Sequence, residues 1–122
     1  MSLSKRQRPL YEVKANLFKG LAHPYRIRIL ELLAAAPEVS VADLQTATGL
    51  EASHLSQHLA VLRRHRLVTS ERRASHVFYR LSEPSVARLL ATAREFLLAI
   101  LADDSALLRD AHELPDVAGS AR

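Results

Sequence analysis

Cysteine is absent from the 122-residue sequence, and that absence removes disulfide staples, zinc ribbons and thiolate metal sites together. A fold without disulfides needs no oxidising compartment, so a cytoplasmic address is the simplest expectation. Long apolar runs are missing as well. No stretch approaches the roughly 20 residues that a membrane-spanning helix requires, so no membrane partner is expected. Residues 1–9 are polar and basic with no apolar run behind them, unlike a secretory leader, and are expected to form a flexible basic arm. The chain has no nucleophilic cysteine, no phosphate-cradling glycine loop and no carboxylate pair placed in an evident cleft. An enzyme is therefore not expected.

Acids are scarce where bases crowd. Between Ala52 and Ser82 six arginines (63, 64, 66, 72, 73 and 80) stand against one acid, Glu71. From Glu83 onward the balance reverses, with seven acids against four arginines. The net charge of +4 permits nucleic-acid binding, and this segregation points to it more strongly, since a merely solvated surface intersperses its charges. Apolar residues make up 48% of the chain, enough for one core, and the length suits one domain rather than two. That domain is expected over residues 10–113. The last residues, 114–122, carry Pro, Gly and Ser and are expected to fray.

Hydrophobic spacing supplies the elements. Leu10, Val13, Leu17, Phe18 and Leu21 recur at three- and four-residue steps, predicting a first amphipathic helix that stops near Gly20 and Pro24. Pro24 suits the first turn of a second helix, where its missing N–H costs nothing. That helix runs through Ile27, Leu30 and Leu33 to about Ala36. His23, directly before Pro24, reads as a cap or a turn contact. Ser40 is placed to cap a short third helix over residues 41–48, with Asp43 favouring the helix dipole. Gly49 breaks it, and Leu50 is the expected buried residue of the turn. A fourth helix follows over about 52–65, with a core stripe of Leu55, Leu59 and Leu62. Short helix, glycine turn and longer helix give helix-turn-helix spacing.

The period then changes to two. Residues 67–73 and 76–81 are rich in Val, Thr and aromatics and flank Ala74 and Ser75, which predicts a two-stranded hairpin, or wing. Its tip lacks the Asn-Gly or Asp-Gly pair that favours such turns. One of Phe78 and Tyr79 is expected in the core, since neighbours on a strand face opposite ways. Pro84 opens a long last helix whose stripe runs from Val86 through Phe96, Leu97 and Ile100 to Leu108. So wide a band exceeds what a small domain can cover, and pairing with a second copy is the expected use.

With Leu55, Leu59 and Leu62 turned inward, Ser53, Ser56, Gln57, Ala60 and Arg64 fall on the outer side of the fourth helix. Small residues there allow close approach to a major groove, and Gln57 suits bidentate pairing with an adenine edge. Ser53 and Ser56 sit near the helix N-terminus, where backbone N–H groups also face phosphates. Arg63, Arg64 and Arg66 are placed to anchor the phosphate backbone. Arg72 and Arg73, beside the wing tip, are expected to position the protein rather than read bases. His54 and His58 stand four apart, a spacing able to hold zinc, yet no glutamate follows His54 as a metalloprotease motif requires. Packing of His58 at the core edge competes with that reading. His112 and Glu113 form a further candidate metal pair near the C-terminus.

Three stretches carry a resemblance: GLAHPYRIRILELL at 20–33, SHLSQHLAVLRRHRLV at 53–68 and VFYRL at 77–81. Together with the flanking helices, over about residues 10–104, the sequence resembles the ArsR/SmtB family of bacterial metal- and stress-responsive regulators. The resemblance implies a mainly α winged helix-turn-helix fold: four helices, a two-stranded β-wing and a fifth helix. It implies a homodimer formed through the first and last helices and a double-stranded DNA operator as partner. Members commonly repress their own operons and release DNA when an effector binds. Carried over by position, Ser53, Ser56, Gln57 and His58 become the recognition contacts. The departures are informative. Where metal-sensing members carry a cysteine pair, this chain has Ser40 and Ala42, and its last helix has no histidine between Glu83 and Ala111. Nickel or zinc held by His and carboxylate ligands stays open, as do no effector and regulation by a protein partner. The competing reading is a winged-helix protein-interaction module with little direct DNA binding.

Overall fold

In the computed structural model, which describes residues 8–102, five helices surround a small antiparallel sheet. In chain order these are α1 (Leu10–Leu21), α2 (Pro24–Ala34), β1 (Val39–Ser40), α3 (Val41–Thr48), α4 (Ala52–Arg64), β2 (Val68–Arg73), β3 (His76–Leu81) and α5 (Pro84–Leu101). The expected hairpin forms, and a third strand joins it. Val39 pairs with Tyr79 and Ser40 with Phe78, giving the strand order β1-β3-β2. No sequence pattern announces β1, because two residues become a strand only through the neighbour they meet.

The helix boundaries follow from local chemistry. The His23 side chain accepts the Tyr25 N–H at 3.1 Å, and Pro24 fills the first turn of α2. Ser40 Oγ accepts the Asp43 N–H at 3.0 Å and so caps α3, an N-cap bond worth about 1 kcal/mol. At the other end Gly49 has φ 73°, the left-handed region where a Cβ is unfavourable. α4 ends differently. Arg66 N–H donates to Arg63 O and Leu67 N–H to Leu62 O, each at 3.0 Å. This is a Schellman closure with a left-handed Arg66, φ 61°, where glycine is usual. Leu62 and Leu67, which flank the closure, are both buried.

The core sits between α2, α3, α4 and the sheet. Ile29, Leu30, Leu33, Leu44, Leu55 and Leu62 are essentially inaccessible, with Leu59, Leu67, Val68 and Tyr79 around them. Tyr79 is thus the core member of the aromatic pair, while Phe78 is half-buried. Leu50, expected to be buried, is half-buried.

α1 and α5 contribute less. α5 buries only Val86, with Leu89 and Leu90 packed against the core. Farther along, Phe96, Leu97 and Ile100 are 63%, 54% and 51% exposed, and on α1 Leu10, Tyr11 and Phe18 are 66%, 73% and 53% exposed. Both terminal helices therefore present large apolar side chains to solvent. Gly20 is the next-to-last residue of α1, near the end as its position in the sequence suggested. A Cβ there would sit 2.6 Å from His65 Cγ, so the glycine lets α1 approach the end of α4. The rest of the expected α5 stripe, Leu107 and Leu108, lies outside the described residues. Among the described residues no helix is long and apolar enough to cross a membrane.

Candidate nucleic-acid interface

The outer face of α4 is built by its inner one. Burial of Leu55, Leu59 and Leu62 at steps of four and three fixes the helix rotation, and Ser53, Ser56 and Gln57 are then exposed. Ala60 between them is half-buried, leaving no bulky side chain along this strip. None of the three polar side chains is spent on another group among the described residues, so their donors and acceptors face solvent. A groove of about 360 Å³ separates the helix from the wing, with Ser56, Ala60 and Arg63 on one wall and Ser70, Arg72 and Tyr79 on the other. The helix and the wing thus face each other across one groove, with Leu59 and Val77 also in its lining.

The structure divides the arginines. Arg64 and Arg72 are exposed and make no ion pair among the described residues, leaving their guanidinium forks available for phosphate oxygens. Arg63 is engaged in part: its guanidinium donates to the Tyr79 hydroxyl at 3.0 Å, which leaves its other N–H donors exposed. Arg73 is committed more fully. It pairs with Glu38, lies 4.0 Å from Glu71 and stacks over Phe78 at 3.9 Å from the ring centre. Its hydrogen bond to Glu38 pushes an already high pKa further up. Glu71, the acid amid the basic segment, also reaches Arg80 at 3.7 Å. It serves as a local counter-charge in the wing.

His58 lies apart from Ser53, Ser56 and Gln57. It is half-buried against the start of α2, with its ring 4.4 Å from that of His23 and its Nδ1 3.5 Å from the Arg26 guanidinium. Burial, then the neighbouring His23, Arg26 and His54, hold its pKa below the ordinary 6.5. The spacing on the helix wheel fits this edge position. The identity of its partners depends on how α2 crosses α4, which no local pattern reveals. His54 is exposed and 3.9 Å from Glu51. No group of three His, Asp or Glu side chains among the described residues is placed to hold a metal ion. His112 and Glu113 lie outside the described residues.

An exposed polar helix behind a glycine turn, flanked by a basic β-hairpin, defines a winged helix-turn-helix domain of the DNA-binding class. Comparisons with known proteins agree. A model of the helix-turn-helix domain family matches residues 21–71. The chain is 47% identical over 102 residues to the HTH-type transcriptional regulator Rv0081 of Mycobacterium tuberculosis, covering 84% of this chain and 90% of that one. The crystal structure of Rv0081 superposes with a TM-score of 0.73 at 48% identity over 80% of this chain and 97% of that one. A biofilm growth-associated repressor of Agrobacterium fabrum is 42% identical over 76 residues, 62% of this chain and 64% of the repressor. The solution structure of the homodimeric winged helix-turn-helix DNA-binding domain Mb0332 of Mycobacterium bovis, a possible ArsR-family regulator, matches at 34% identity. Its TM-score is 0.63, over 85% of this chain and 91% of that one. The chain belongs to the helix-turn-helix transcriptional regulators.

Proposed function

We propose that this regulator is an ArsR-type repressor that acts in the cytoplasm and binds a pseudo-palindromic operator as a homodimer. The observation that carries the reading is the outer face of α4, where Ser53, Ser56 and Gln57 stand exposed beside Arg64 and the wing's Arg72. Gln57 reads a base edge and the two serines supply short polar contacts in the major groove. Arg64 and Arg72 hold the flanking phosphates, which gives affinity without sequence preference.

A second copy covers the apolar faces of α1 and α5. Leaving Leu10, Tyr11, Phe18, Phe96, Leu97 and Ile100 in water forfeits about 25 cal/mol for each Å² of apolar surface that pairing would bury. A two-fold axis through these helices places two copies of α4 in successive major grooves, about 34 Å apart. Light scattering for mass and footprinting on a selected duplex test the reading together. A dimer protecting two half-sites about one helical turn apart is expected. A monomer, or protection of a single unpaired site, would overturn it.

A further inference from the structure

Arg26 ties together three elements that the DNA-binding face alone does not connect. From α2 its Nε donates to Gly20 O at 2.7 Å and one terminal nitrogen to Lys19 O at 3.3 Å. Both acceptors are carbonyls at the C-terminal end of α1, which carries partial negative charge, and Lys19 O also accepts the Ala22 N–H at 3.3 Å. The other terminal nitrogen faces His58 Nδ1 on α4 at 3.5 Å. A guanidinium has no acceptor, so this contact is attractive only with a free lone pair on that ring nitrogen.

We propose that Arg26 is a positioning residue for DNA recognition, clamping the end of α1 to His58 of α4 while the His58 ring is neutral. This rests on the reading of α4 as the recognition helix and α1 as part of the dimer contact. The spacing of two recognition helices then depends on how each α4 is held against its own α1, and Arg26 spans that junction. The close approach of Gly20 to His65 marks a second contact between the same two helices.

The surroundings make the clamp sensitive to protons. His23 faces His58 at 4.4 Å between ring centres, and its own Nδ1 is occupied in accepting the Tyr25 N–H. The Tyr25 ring lies at 6.2 Å, and His54 approaches from α4 itself. Glu51 pairs with His54 at 3.9 Å. A proton on His58 therefore adds a cation facing Arg26, with no carboxylate paired to it among the described residues. Burial and these neighbours already disfavour it, holding the pKa below 6.5. For a base held neutral by the fold, the contribution is complete above 6.5 and is lost as pH falls through the folded-state pKa. A direct phosphate contact by His58 has the opposite sign, because protonation would then strengthen binding.

The test uses the full chain in chelator-treated buffer, with a duplex selected by the wild type from a random library at about pH 8. Fluorescence anisotropy follows binding from there to about pH 5.5. Wild-type affinity is expected to fall about tenfold, a size common for residues that act on a site through others. Arg26→Ala should bind about tenfold more weakly at the upper pH and lose the step. His58→Asn, whose Oδ1 stands near the place of Nδ1, should flatten the pH profile whatever its starting affinity. Wild-type binding that strengthens with acid would overturn the proposal. So would Arg26→Ala behaving as wild type, or a step that survives in His58→Asn. Where circular dichroism shows Arg26→Ala unfolded, the His58→Asn profile decides. A wild type that selects no duplex instead overturns the reading of α4.

Discussion

The Arg63 guanidinium donates a hydrogen bond to the Tyr79 hydroxyl at 3.0 Å, joining the last turn of α4 to the middle strand of the sheet. Tyr79 also pairs with Val39 of β1 and Ser70 of β2. One residue thus connects the core, all three strands and α4, the helix proposed to face DNA. The arginine expected from its charge to meet phosphate thus also links helix and wing.

Tyr79→Phe keeps the buried ring and removes only the acceptor. We expect a loss of about 1 kcal/mol in urea unfolding, the usual worth of one such bond. Unchanged stability would show that Arg63 finds an equivalent partner in solvent.

Arg72 and Arg73 are sequence neighbours with different partners. Arg72→Ala should weaken binding to every duplex alike and lower the slope of log affinity against log salt by about 1. Arg73→Ala removes the pair with Glu38 and the stack on Phe78, and should leave that slope nearly unchanged. Equal slope changes in the two variants would contradict the division of roles.

Gln57→Ala addresses specificity. Discrimination against the wrong base at one position in each half-site should fall by about 1–3 kcal/mol, while affinity for unrelated duplexes stays the same. Competition titrations with single-base variants of the selected duplex measure this. Full retention of discrimination would remove Gln57 as a base reader.

Gly20→Ala tests the α1–α4 junction. An added Cβ would meet His65 Cγ at 2.6 Å, an overpacking that costs about 1–3 kcal/mol and outweighs alanine's helix preference of about 1. Thermal melts should show the loss, and His65→Ala in the same chain should relieve it. A more stable Gly20→Ala chain would mean that the helices move apart freely.

Much of this arrangement was legible from local signals. Ser40, Gly49 and the Leu55, Leu59, Leu62 stripe each act within a few residues, so the helix-turn-helix and its outer face follow from spacing. The His23 cap before Pro24 was readable for the same reason. β1 was not, because Val39 and Ser40 become a strand only through β3. The wing turn bears Ala74 at φ 56°, a conformation that glycine or asparagine would have advertised. Arg63 and Arg73 look like Arg64 and Arg72 in sequence. What separates them is the tertiary approach of Tyr79 and Glu38, one 16 residues away and the other 35. The same holds for Arg26, whose three acceptors come from two other helices.

Under the proposed function the α4 face and the wing bind DNA with a sequence preference. Fluorescence anisotropy against a duplex from the chain's own upstream region and a scrambled control, across a salt series, tests it most directly. Tighter binding to the native duplex is expected, with a steep loss of affinity with salt as phosphate contacts are screened. Equal, weak and salt-insensitive binding to both duplexes would contradict it.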